Sequence, residues 1–420
     1  MNAIPGGEAS FHVGARLRSP SPEGWVEFEI WLRYRPGVAP ADARNEQVKG
    51  FAAADEDVQS VCTFVADAGL EIVEVVPGRR LIRARGQLAA IERAFEIVFG
   101  HHDRHGEVVR SYAGRPSLPP ALDGVITEIT GLEHVPLRRM GRFAPQSAEG
   151  DGQTFRWPTD VAAAYGFPSA SSSIDGTGQT IGIIEFGGGF AQHELDKYFQ
   201  FMNLRTHQSL PTPQPEVVLV GGASNQVSSL DDSGEVVLDV EIAAAVSPGA
   251  KLVIYFGKSL PDTISAAIHD KDNQPGILSI SWSSPESLIH KDSQYVRAVE
   301  KVLAEAAAMG ITVCVASGDQ GATDGQTHGS LEPCVGYPAS SPNALACGGT
   351  MTGADGEEVW NYGLDDQGIL RASGGGFSQL FGRPGRAPDP PARDRHGHGG
   401  SRARGNARAR SRAVRPVRPH

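Results

Sequence analysis

The sequence predicts an α/β protein built on a parallel sheet, preceded by a smaller α+β unit. Five short apolar runs between residues 180 and 317 (TIGIIEF, EVVLV, KLVIYF, GILSISW and ITVCVAS) have helical segments between several of them. Such runs suit strands buried on both faces of a parallel sheet. Upstream, within residues 25–137, strand and helix periodicities alternate. A length of 420 residues accommodates two domains with ample core.

The upstream unit opens with WVEFEIWLRY as a strand, followed by DEDVQSVCTFVADAG as a helix closing at Gly69. LEIVEVV and RLIRARG pair as a hairpin across Pro77–Gly78, and QLAAIERAFEIVFG carries apolar residues at helical spacing. A strand at EVVRSYA closes a βαββαβ pattern of the ferredoxin-like kind. Residues 138–156 are basic, then polar and glycine-containing, as suits an exposed, cleavable linker. The second unit starts at WPTDVAAAYGFP, and its longest helix, SQYVRAVEKVLAEAAAMG, ends on Gly310.

The net charge of −11 conceals a division: residues 383–420 carry eleven Arg and two Asp, and the remainder carries −20. An acidic body repels itself less at low pH, where carboxylates neutralise. The Arg/Pro/Gly-rich stretch 382–420 has Val414 and Val417 as its larger aliphatics and no aromatic residue, so it is expected to be disordered. It reads as coding sequence out of frame. The charge would also suit a basic arm for nucleic acid or an acidic surface, but the out-of-frame reading is preferred, and nucleic acid is not the expected partner. Four cysteines are too few and scattered for a disulfide framework. Cys314 is expected in the core, and a Cys334–Cys347 bridge is left open. No apolar run suits a signal peptide or a membrane span.

The most informative segment is Gly234–Gly249, GEVVLDVEIAAAVSPG. Glu235 and Asp239 stand four residues apart, on one helix face, among Val, Leu, Ile and Ala. Acids at that spacing more often form a solvated stripe; the apolar company argues against it here. Two carboxyls on an apolar surface share protons and titrate together, which suits a carboxylate base held by a second carboxyl.

This helix, with IGIIEFGGGF (181–190), ILSISWSSPE (277–286), VCVASGDQGATDG (313–325), YPASSPNALACGGT (337–350), VWN (359–361) and SGGGFSQLF (373–381), resembles the sedolisins. These are serine-carboxyl peptidases, and the kumamolisin-like branch is the nearest. The resemblance implies a subtilisin-like fold over residues 157–381, incomplete at its C-terminus. It also implies that residues 25–137 are an activation propeptide serving as intramolecular inhibitor and chaperone. Polypeptide substrates, an extracellular location and bound calcium are further implications, although the calcium ligands are absent from this chain and no metal residue is assigned. No membrane partner is expected.

By the same resemblance Glu235 is the general base, Asp239 its orienter, and Asp319 of SGDQG an oxyanion donor. A glutamate base titrates at the acid pH where a histidine is protonated and useless. Asp319 can donate only while protonated; by itself it reads as a turn residue. Glu185 and Trp282 extend the hydrogen-bond network behind the base. Ser283 and Ser284 replace glycines on the edge that pairs with substrate backbone. The family nucleophile lies in a GTSxxxP segment that does not occur here; GGTMTG has Met351 in that place, and Ser378 lies in the wrong block. The expected protein is therefore an acid-acting endopeptidase zymogen by family, inactive as written. The alternatives are a pseudoenzyme or a binding protein with a basic arm. With its final part replaced, the peptidase sheet is expected to expose aliphatic side chains of GILSISW and ITVCVAS on one face. The three glycines of Gly187–Gly189 lack the spacing of a dinucleotide fingerprint.

Overall fold

A computed structural model describes residues 2–3, 24–38, 51–104, 107–139, 156–168, 172–228, 230–290, 292–323, 333–353, 356–365 and 368–383. Most of the 138–156 linker and nearly all of the 382–420 stretch lie outside these residues.

In the first unit, β1 (Trp25–Leu32), α1 (Asp55–Asp67), β2 (Glu71–Val76), β3 (Leu81–Gln87) and α2 (Leu88–Phe95) follow the expected order. Two differences emerge. The second helix stops at Phe95, where Glu96 turns left-handed at φ +54°, and a strand begins at Val98. EVVRSYA does not close the sheet: β5 (Glu107–Ala113) pairs with β4 (Val98–Arg104) in a separate hairpin, and β6 (Ile126–Thr130) is the closing strand. The antiparallel sheet runs β2-β3-β1-β6, the order of a ferredoxin-like βαββαβ unit. The reason is burial. Ile126 and Ile129 are fully covered and join Phe28, Ile30, Ile91 and Phe95 in one core. A last short strand, β7 (Arg138–Arg139), belongs to a different sheet.

The second unit contains α3 (Pro158–Ala164), β8 (Thr180–Glu185), α4 (Gln192–Thr206), β9 (Glu216–Leu219), α5 (Leu230–Val246), β10 (Lys251–Phe256) and α6 (Leu260–Ile268). After them come β11 (Ile277–Ile280), β12 (Trp282–Pro285), α7 (Gln294–Ala308), β13 (Thr312–Ala316), β14 (Gly336–Tyr337) and β15 (Leu345–Cys347). All five expected strands form, in a six-stranded, wholly parallel sheet of order β9-β10-β8-β11-β13-β15. Helices α6 and α7 cover one face through Leu260, Ile264, Val299 and Val302, packed on Val253, Leu278 and Val313. Helices α4 and α5 cover the other face through Phe199, Val236 and Val240, packed on Ile183 and Ile254. This is a parallel sheet flanked by helices, as expected of the class.

The expected aliphatic exposure on β11 and β13 does not occur. Leu278, Ile280, Val313 and Val315 are all at most 2% exposed, because strand alternation turns them to α6 and α7. The other face carries Ile277, Ser279, Cys314 and Ala316, each partly buried, so Ile277 is the one larger aliphatic on it. Exposure falls instead on the edge strand β15, where Leu345 is 57% exposed.

The two units share a charged, buried seam. Arg79 and Arg83 bond Asp262 at 2.6 and 2.7 Å, Arg80 pairs with Glu305, and Lys301 reaches Glu128 at 3.3 Å. Trp31 and Leu81 of the first unit belong to the core cluster of the second.

Candidate active site

Helix α5 is held by its apolar residues: Val236 and Val240 are fully buried and Ala244 and Ala245 nearly so. That anchoring leaves Glu235 and Asp239, one turn apart, at the C-terminal ends of β8 and β11, where open α/β sheets gather their ligands. Glu235 is 4% exposed. Asp239 is partly buried, and its Oδ2 accepts a 2.7 Å hydrogen bond from Ser281 Oγ. Burial pushes Asp239 up to about 6, with the Ser281 bond pulling the other way.

Glu185 ends β8 and is fully buried, with Oε2 accepting from Trp282 Nε1 at 2.8 Å. Burial raises its carboxyl well above the usual range, and the Asp239 charge adds to this. The Trp282 bond opposes the rise, and Glu235 contributes further. Three carboxyls therefore share one buried corner, and Glu185 feels both of the others. Carboxyls gathered in a buried corner disfavour one another's charged forms.

Asp319 follows β13 in a loop fastened from the far side. Ala372 N donates to Asp319 O at 2.9 Å, Gly374 N to Gly318 O at 2.6 Å, and Ser317 Oγ to Gly374 O at 3.0 Å. A Cβ at Gly374 would stand 2.0 Å from Ser317 O, so the first glycine of SGGG is required by this close approach. Burial pushes Asp319 up to about 6, against the Arg371 charge. Arg371 sits in β17 (Leu370–Ala372), paired with β16 (Asn361–Leu364), and Asp365 holds its Nε and Nη2 at 2.9 and 2.6 Å.

Ser283 and Ser284 are fully buried in β12, not open to solvent. On one side β12 pairs antiparallel with β14, setting Ser284 opposite Tyr337. On the other it pairs with β7, setting Trp282 opposite Arg139 and Ser283 opposite Arg138. Ser284 Oγ donates to Pro136 O. The chain's own segment 136–139 thus lies along the edge formed by Trp282–Ser284.

Ser378 is committed elsewhere. Its Oγ donates to Glu286 Oε1 at 2.6 Å and accepts from Leu380 N and Phe381 N at 3.1 and 2.9 Å. A hydroxyl has one donor and two acceptor positions, so no lone pair is left for attack. All four cysteines are free. Cys334 is buried and accepts from Ser287 N at 3.4 Å, Cys347 is exposed with its Sγ donating to Leu345 O at 3.5 Å, and Cys314 is half-buried and not a core residue. Among the described residues no three His, Cys, Asp or Glu side chains cluster as a cation site. The calcium implied by the resemblance has no donor set among those residues. No helix among them is long and apolar enough to cross a membrane.

Three residues of this region were given no role by the sequence: Ser281 and Glu286, although both lie within the ILSISWSSPE block, and Arg371. For Ser281 the signal was a polar residue beside Trp282 at the end of an apolar strand.

Residues 43–135 match the family described as "Pro-kumamolisin, activation domain". The chain is 34% identical over 394 residues to kumamolisin of Bacillus sp. (strain MN-32), covering 87% of this chain and 68% of that protein. It is 28% identical over 366 residues to sedolisin of Pseudomonas sp. (strain 101), covering 81% and 60%. Among solved structures, Pseudomonas sedolisin (serine-carboxyl proteinase) complexed with two molecules of pseudo-iodotyrostatin is similar at 28% identity and a TM-score of 0.45. That match covers 54% of this chain and 64% of the other. The chain spans about two thirds of the length of these relatives.

Proposed function

The chain belongs to the serine-carboxyl peptidase family of kumamolisin and sedolisin, and on that premise we propose that it is the zymogen of an acid-acting endopeptidase. Glu235 is the general base, Asp239 its orienting partner and Asp319 the oxyanion donor. Glu185, Trp282 and Ser281 are positioning residues. The observation that carries this reading is the buried corner shared by Glu185, Glu235 and Asp239.

In such a site the base takes the proton of an attacking hydroxyl and later returns it to the leaving amine. Carboxylates titrate in the acid range, so Glu235 can accept a proton where histidine would already hold one. Asp239 holds the Glu235 carboxyl in place for that transfer, and Glu185, whose proton affinity burial raises, tolerates the neighbouring charge. Asp319 stays protonated below about pH 6, so its O–H is available to a developing oxyanion only on the acid side of that value. The three requirements meet at acid pH. The attacking hydroxyl that the resemblance implies sits in a GTSxxxP segment, which these 420 residues do not contain, so the chain by itself is silent. Segment 136–139, paired on the Trp282–Ser283 edge, supports an autoinhibited arrangement in which the propeptide's continuation occupies the place of substrate backbone.

The test is a carbon-detected NMR titration of the carboxyl groups of the full chain. Glu185, Glu235 and Asp239 should titrate as an interdependent set, with at least one midpoint above pH 6. Three independent midpoints near 4 would remove the basis of the proposal.

A further inference from the structure

The seam between the two units holds three buried polar atoms without a hydrogen-bond partner: Arg80 Nε, Glu305 Oε2 and His269 Nε2. Arg80 lies in the turn between β2 and β3, and its guanidinium donates to Glu305 Oε1 and, at 3.1 Å, to Phe51 O. The Tyr34 hydroxyl donates to the same Glu305 oxygen, and the guanidinium carbon lies 4.0 Å from the centre of the Tyr34 ring. The first unit therefore takes Glu305 Oε1 twice, while Oε2 faces His269 Nε2 at 3.5 Å. His269 closes α6, and its Nδ1 lies 2.9 Å from Ser265 O. A carbonyl only accepts, so Nδ1 carries the ring proton. The neutral ring then turns a lone pair on Nε2 toward a carboxylate oxygen. The two atoms are one proton short of a hydrogen bond.

We propose that His269 is a proton-operated release of the seam: once protonated it claims Glu305 through Nε2–H, and Arg80 of the first unit loses its counter-charge. His269 on α6 and Glu305 on α7 both belong to the second unit, so the new pair survives when the first unit lifts away. The neighbouring charges are already matched. Asp262 holds Arg79 and Arg83, Glu128 holds Lys301, and Asp270 accepts from the Tyr255 hydroxyl. With the seam closed, a protonated His269 and Arg80 must share the single charge of Glu305. With it open, His269 and Glu305 balance alone, and no buried cation is left unpaired.

The surroundings act in the same direction. Burial lowers the proton affinity of His269, Glu305 and the Ser265 carbonyl oppose this, and Arg80 and Arg79 lower it again. Lifting the first unit removes both arginines and leaves Glu305, so the open seam binds the proton more tightly. A closed state that binds the proton less tightly is most stable above the ordinary histidine value of about 6.5. That contribution is lost as pH falls through this value. Glu29, on the same seam, works in the opposite sense. It accepts from Ser259 Oγ at 2.9 Å, and burial, with the Asp262 charge, raises it to about 7. The part due to His269 is therefore read as a difference between chains that share Glu29. This release concerns how the first unit is held and needs no catalytic turnover.

Ile129 N, on the edge strand β6, donates to Gln294 Oε1 across the seam, so exchange of that amide reads seam opening. The experiment follows it by NMR in the full chain at pH 7.5 and pH 5, corrected for intrinsic exchange and referenced to amides of the inner strand β1. The His269 imidazole is titrated in the same samples. Its midpoint should lie below about 6.5 in the natural chain and rise in Arg80→Met. His269→Asn keeps a donor for Ser265 O but cannot take the proton. The ratio of opening at pH 5 to that at pH 7.5 should be severalfold larger in the natural chain than in His269→Asn, about tenfold for each pH unit between the closed and open midpoints. Three outcomes would overturn the proposal: a natural-chain midpoint at or above about 6.5, a midpoint unmoved in folded Arg80→Met, or equal ratios in the natural chain and folded His269→Asn. The natural-chain titration decides the matter even where a variant does not fold.

Discussion

Ser281 Oγ hydrogen-bonds Asp239 Oδ2 at 2.7 Å, tying the residue that leaves β11 to the acid on α5. The contact links two elements distant in sequence and opposes the burial that raises Asp239. In Ser281→Ala the charged form of Asp239 loses a donor worth about 1.5–3 kcal/mol. Its midpoint should rise by about one to two pH units from near 6. Carbon-detected titration of the Asp239 carboxyl reads this directly; an unchanged midpoint would mean that the hydroxyl does not govern it.

Arg371 acts on Asp319 in the opposite sense from burial, lowering its proton affinity. Replacing it in Arg371→Leu removes the positive charge, so Asp319 should stay protonated to a pH above about 6, whereas Arg371→Lys should keep most of the effect. The titration midpoint of Asp319 in the two variants distinguishes charge from mere packing. A rise of equal size in both would assign the effect to hairpin disruption.

How far the sequence reached shows in particular residues. Five of the six sheet strands were legible, because continuous apolar runs of that length suit little else. Glu235, Asp239, Glu185 and Trp282 were legible through motif resemblance, and the structure brings them together. Ser281 and Arg371 were not legible, since their partners lie 42 and 52 positions away and neither position has a local pattern. EVVRSYA misled because its β propensity is genuine. It forms a strand, and only tertiary burial of Ile126 and Ile129 decides which strand closes the sheet.

The seam between the units depends on buried charges. Glu305 is fully buried and bonds Arg80, which is also fully buried, and Tyr34, while His269 Nε2 lies 3.5 Å from its other oxygen. Glu305→Leu leaves the Arg80 guanidinium buried without its counter-charge, at a cost of about 3–5 kcal/mol. The double variant Arg80→Met, Glu305→Leu should recover most of that loss. Urea unfolding of both variants checks the pair; equal losses would show that the charge balance is not what matters.

Several carboxyls have folded-state midpoints above their unfolded ones. Asp239 and Asp319 stand at about 6, Glu29 at about 7 and Glu241 at about 8, each mainly through burial. A raised midpoint means that the folded chain binds the proton more tightly. That contribution is fully present below the unfolded values near 4 and is lost as pH rises through 6 to 8. The melting temperature should therefore be higher at pH 5 than at pH 8. A melt that is flat or rises toward pH 8 would show that these groups do not control stability.

The claim that acid chemistry resides in Glu235 and Asp239 is tested most directly by supplying the missing hydroxyl. Residues 1–381 joined to the C-terminal portion of the Bacillus kumamolisin, which the resemblance implies carries the GTSxxxP segment, should hydrolyse a peptide substrate. Measured from pH 3 to 8, the rate should peak on the acid side of about pH 6 and fall by at least about 10³-fold in Glu235→Ala. An optimum near pH 8 that survives Glu235→Gln would contradict the account.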